Sequence, residues 1–94
     1  MQEDQFAKFR SLLESNFLFP CAYTHKIIGA NSTLFKNSVA ELEAKFIGLT
    51  KTAERLSASG KHISLTFEYQ AASSEDVVQL MIETQKLNDL IYIL

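Results

Sequence analysis

The chain has 94 residues, 47% hydrophobic and 21% charged, with three Gly and one Pro, the composition of one ordinary globular domain with no room for a second. Nine basic against eleven acidic residues give a formal charge of −2, which leaves no basic footprint for a phosphate backbone, so no nucleic-acid partner is expected. One cysteine, Cys21, excludes an internal disulfide, the start MQEDQFAKFR lacks the blocks of a secretory leader, and the apolar runs are too short to cross a bilayer; a cytoplasmic protein with no membrane partner is expected.

From Glu3 to Asn16 the residues Phe6, Phe9, Leu12 and Leu13 recur at helical spacing, and Glu3 and Asp4 suit the positive end of the helix dipole. This predicts a short amphipathic leading helix within residues 1–17. Pro20 forces Phe19 into extended geometry and ends it. Phe19 to Gly29, FPCAYTHKIIG, then reads as a central strand with Cys21, Tyr23, His25 and Ile27 on one face and Ala22, Thr24, Lys26 and Ile28 on the other.

Gly29 to Thr33 forms a turn cluster in which Asn31, Ser32 or Thr33 can cap the next helix. Phe35, Val39, Leu42 and Phe46 give that helix one buried face, and Gly48 stops it. Leu49 to Ser57 reads as an edge segment with little burial, and Ser57 to Gly60 as a turn. His62 to Ala71 alternates cleanly, with Ile63, Leu65, Phe67 and Tyr69 on the core face. Ser73 and Asp76 resemble a capping box ahead of a third helix with Val77, Leu80, Met81 and Leu87 inward. After a turn at Asn88 and Asp89, Leu90 to Leu94 closes the chain as a strand, with Leu90, Tyr92 and Leu94 on one face and Ile91 and Ile93 on the other.

After the leading helix the order is β-α-β-β-α-β, which with right-handed crossovers gives an α+β, ferredoxin-like fold: a four-stranded antiparallel sheet with two helices on one face. The first and third strands become central and the second goes to an edge. Residues 1–94 form one domain.

No reaction is written in the sequence. His25 and His62 stand on different strands without a ligand spacing to Cys or carboxylate, so no metal and no cofactor is expected. Cys21 lacks the surroundings of a nucleophile, and Gly29 and Gly60 are lone turn glycines without a phosphate-loop spacing. An acylphosphatase-like site needs an Arg directly after the first strand, and Gly29 to Thr33 contains none. RNA readout needs aromatics on the open face of the central strands, whereas Phe67 and Tyr69 point inward.

Two sets of residues remain. Lys26, Arg55 and Lys61 can converge on an anion, because Arg55 and Lys61 flank one hairpin and Lys26 lies outward on the neighbouring strand. Ile28, Ile91 and Ile93 form an apolar strip on the uncovered face, a candidate contact for a protein partner or a second copy, as are the edge strands.

Two stretches carry a family resemblance. Phe19, Pro20, Tyr23, Lys26, Ile28 and Gly29 fit the pattern F-P-x-x-[FY]-x-x-K-[VI]-[MI]-G, and Arg55, Ser57, Gly60, Lys61 and Ser64 fit [RK]-P-S-S-x-G-x-Y-x-S. On these the chain resembles the YbeD-like family of small bacterial proteins, with Leu56, Ala58 and His62 departing from the usual Pro, Ser and Tyr. The resemblance implies an ACT-like variant of the ferredoxin fold with no assigned catalytic residues. It also implies a small effector, amino-acid-like or anionic, bound near the loop after the first strand at Gly29, Ala30, Asn31 and Ser32, with Ser57 and Gly60 of the second motif close by. The expected function is a non-enzymatic regulatory or adaptor domain; the alternative is a structural interaction module that self-associates.

Overall fold

The computed structural model describes residues 5–94 and has the expected order: α1 (Ala7–Asn16), β1 (Cys21–Ala30), α2 (Thr33–Lys45), β2 (Leu49–Leu56), β3 (His62–Ala71), α3 (Ser74–Thr84) and β4 (Leu90–Ile93). The strands form one antiparallel sheet in the order β2-β3-β1-β4. The two most apolar long strands therefore sit in the middle, as their sequences require. Glu3 and Asp4, the acidic start of the expected leading helix, lie outside the described residues.

The core lies between one sheet face and the helices. Ile27 of β1 and Ile63, Leu65, Phe67 and Tyr69 of β3 supply the sheet side; Phe35, Val39 and Leu42 of α2 and Val77, Val78 and Leu80 of α3 supply the other. Helix α1 lies against α3, where Leu13 is buried and Ser74 Oγ donates to Glu14 Oε1 at 2.9 Å. Its stripe is narrower than the spacing predicts: Leu12 is 61% exposed. In α3 the buried set runs through Val78 and Thr84, while Met81 is only partly covered. Leu87 falls beyond the helix and still packs against the core.

Each helix starts and stops for a local reason. Ser32 caps α2, its Oγ accepting from Phe35 N at 3.1 Å and donating to Asp89 Oδ2 at 2.7 Å. Gly48 takes φ +90 in the turn that leaves α2. At α3 the expected reciprocal capping box is incomplete. Ser73 makes no side-chain cap, and Asp76 Oδ2 accepts from Ala72 N at 2.8 Å, one residue upstream of the box position. Asp89 turns the chain into β4 at φ 58, a conformation Asp tolerates better than most residues.

Two corrections bear on function. The first strand, expected over Phe19 to Gly29, runs from Cys21 to Ala30, so Gly29 is strand as its run predicts and Ala30, expected in the turn, joins it. Gly29 has no positive φ; a Cβ there would clash with Cε1, Cζ and Cδ1 of the Phe35 ring, which lies against it. The second concerns β4, which is irregular between Ile28 and Gly29: Ile27 pairs Ile93, Ile28 pairs Tyr92, and Gly29 pairs Leu90. Paired residues share a face. Ile93 therefore joins Ile27 on the core side, Tyr92 joins Ile28 on the open side, and Ile91 is the extra residue of a bulge. The expected open strip of Ile28, Ile91 and Ile93 becomes Ile28, Ile91 and Tyr92.

Candidate functional site on the open sheet face

The residues of the two motifs divide into those that hold the scaffold together and those that do not. Ser57 belongs to the first group: its N–H donates to His62 O at 2.9 Å, its carbonyl accepts from Gly60 N at 2.9 Å, and its Oγ accepts from His62 N at 3.1 Å. Gly60 adopts φ +74, as this tight hairpin turn requires. Asn31 fastens the end of β1 to the hairpin, donating from Nδ2 to Gly60 O and from its backbone N–H to Lys61 O, both at 2.9 Å.

The loop after β1 is occupied by the same kind of work. Ala30 N donates to Asp89 O and Ser32 N donates to Ala30 O, each at 2.9 Å. With Asn31 N on Lys61 O, the backbone donors of Ala30, Asn31 and Ser32 are all already bound. Gly29, Ala30, Asn31 and Ser32, the positions the resemblance points to, thus form a junction between β1, the β2–β3 hairpin and the α3–β4 turn.

Arg55 stands apart. Across the open face, Arg55 of β2 pairs Ser64 of β3, Ser64 pairs Ile28 of β1, and Ile28 pairs Tyr92 of β4. These four side chains form one row that spans the whole sheet. Over the row lies a groove of about 510 Å³, lined among others by Ile28, Arg55, Ser64, Ile91 and Tyr92, within the size range of small-molecule sites, roughly 300–1,000 Å³. Ile91 and Tyr92 are 47% and 63% exposed. The guanidinium makes no hydrogen bond or ion pair with any described residue.

The structure brings the expected site residues only partly together. Arg55 and Ser57 line the groove with Ile28 and Ile91, so the anion set and the contact strip meet in one place. Lys26 pairs Thr66, one row further along, and is not among the lining residues. Lys61 sits in the hairpin turn. His62 and Tyr92, which no motif singled out for binding, also line the groove.

Other polar clusters are satisfied internally. Glu83 takes Lys45 at 2.8 Å and Lys86 at 2.7 Å, and these hydrogen bonds hold its carboxyl down at about 2. His25 is buried, and its Nε2 lies 3.0 Å from Thr84 Oγ1. That hydroxyl donates its one proton to Leu80 O at 2.6 Å, so Nε2 must be the imidazole N–H that donates to it. Among the described residues no group of His, Cys, Asp and Glu could hold a metal ion, and no helix is long and apolar enough to cross a membrane.

The fold and its open face define a small α+β domain of the ACT-like, ferredoxin-like class. The chain belongs to the family described as "Protein of unknown function (DUF493)", whose profile matches residues 14–94. It is 32% identical over 83 residues to UPF0250 protein PM1928 of Pasteurella multocida (strain Pm70), covering 87% of this chain and 90% of the relative. The resemblance to the YbeD-like family read from the two motifs is thereby borne out. Among solved structures, the ACT domain from GTP pyrophosphokinase of Chlorobium tepidum superposes with a TM-score of 0.62, covering 78% of this chain and 94% of that one at 14% identity, a likeness of fold alone.

Proposed function

We propose that this protein is a non-enzymatic regulatory or adaptor domain that recognises a small anionic ligand on the open face of its sheet, with Arg55 as the anion contact. One observation carries the reading: among the expected binding residues, Ser57 and Asn31 are committed to the hairpin and Ser32 to a helix cap, whereas Arg55 lines the groove without an internal partner. A guanidinium beside apolar surface prefers a carboxylate or phosphate, which it can meet with two parallel hydrogen bonds. The neighbour in fold is, by its title, an ACT domain from GTP pyrophosphokinase, a likeness of architecture that names no ligand for this chain.

A thermal-shift screen of amino acids and carboxylates at millimolar concentration, run on the wild-type chain, Arg55→Gln and Lys26→Ala, tests it. The reading expects a shift that Arg55→Gln abolishes and Lys26→Ala weakens only modestly. No shift with any compound overturns it.

A second reading, self-association through the same face, is favoured by the exposure of Ile91 and Tyr92 beside Ile28. The edge of β2 is poorly suited to pairing: it is bulged between Lys51 and Ala53, where Thr52 Oγ1 folds back onto Thr66 O at 3.3 Å, and such bulges blunt an edge. Light scattering at high micromolar concentration discriminates. A dimer dispersed by Ile91→Asp supports this second reading, and a monomer removes it.

A further inference from the structure

The row beneath the groove is graded in polarity. It runs from the cation Arg55 through the hydroxyl of Ser64 and the aliphatic Ile28 to the ring of Tyr92, with Ile91 bulged alongside. No carboxylate lines the groove, and Arg55 is the lining residue that carries a permanent charge. Lys26 lies a row away and Lys61 in the hairpin turn, so a second anionic group would find no second permanent cation among the lining residues.

From this gradient we infer that the ligand class is an organic monocarboxylate with an apolar body, the carboxylate on Arg55 and the body over Ile28 toward Tyr92 and Ile91. This rests on the reading that the groove binds an anion and adds what kind. Three strand intervals of about 4.8 Å separate the backbones of Arg55 and Tyr92, about 14 Å in all. Both residues line the groove, so a ligand held between them lies over the middle two strands. Acetate or glycine leaves the apolar half of the groove wet, while a di- or tricarboxylate must bury a second charge against Ile28 and Tyr92 without a partner. An aryl or branched alkyl acid covers the apolar half at no such cost.

Backbone-amide NMR titrations of the full chain with acetate, citrate and 3-phenylpropionate test this, repeated on Arg55→Gln and Tyr92→Ser. Both substitutions fall on exposed side chains, and retained amide spectra will verify the fold. The inference expects 3-phenylpropionate to bind at least tenfold more tightly than acetate or citrate. Tyr92→Ser should remove most of that preference, and Arg55→Gln should weaken every acid by tenfold or more. If citrate or acetate binds as tightly as 3-phenylpropionate and Arg55→Gln weakens it, the anion reading stands and the apolar-body inference is overturned. Saturation by none of the three overturns both.

Discussion

The ring of Phe35 lies across Gly29 so closely that the first strand and the second helix meet without a side chain between them. Phe35 is fully buried, so its ring has nowhere to retreat. Gly29→Ala is therefore expected to destabilise the fold by at least about 2 kcal/mol, the cost of overpacking a filled core, read as a lower midpoint in urea. Gly60, whose Cβ would meet nothing within 4 Å, should suffer only from its φ of +74 and lose about 1 kcal/mol or slightly more on the same change.

Stability should fall with acid through His25. Burial penalises the charged ring and lowers its pKa from the usual 6.5 to about 4. Because the folded value lies below the unfolded one, the contribution is complete above pH 6.5 and is lost as pH falls towards 4. Between pH 6.5 and 4.5 the loss expected from His25 is about 2 kcal/mol. His25→Leu should flatten that slope while leaving Thr84 Oγ1 bonded to Leu80 O. A wild-type urea midpoint unchanged across this window would contradict the assignment.

The bulge in β4 makes two neighbouring isoleucines unequal. Ile93 pairs with Ile27 and packs on the core, whereas Ile91 stands on the open face. Ile93→Asp is expected to cost about 2–3 kcal/mol, from a carboxylate pressed against apolar neighbours, and Ile91→Asp less than about 1 kcal/mol. Equal losses would place both on one face and remove the bulge from the account.

Ser32 ties the α2 cap to the α3–β4 turn through Asp89. Ser32→Ala should cost about 1 kcal/mol, and Asp89→Ala a comparable amount, with the double variant losing less than the sum because both remove the same hydrogen bond. Urea unfolding of the three variants measures this directly.

Most of the fold was legible in the sequence because strict alternation in His62 to Ala71 and helical spacing in Phe35 to Leu42 each admit one structure. The facing of β4 was not, because Leu90 to Leu94 is apolar or aromatic at every position, and alternation carries no information when both classes are the same. A bulge then shifted the pattern by one. Turn geometry is the reason the sequence suggests for a glycine at 29, because its real constraint, the Phe35 ring, is a tertiary contact. The pairing of His25 with Thr84 likewise spans 59 positions and leaves no local signal. For the site, Arg55 and Ile28 were visible as motif members, but only strand register shows that they share one row, and Tyr92 entered that row through the bulge.

The most direct measurement is the map of amide chemical-shift changes in the wild-type chain on titration with 3-phenylpropionate. The account predicts saturable shifts centred on Arg55, Ser64, Ile28 and Tyr92, with Ala30 to Ser32 largely unmoved because their backbone donors are already engaged. Shifts centred instead on the loop after β1, or none that saturate, would contradict it.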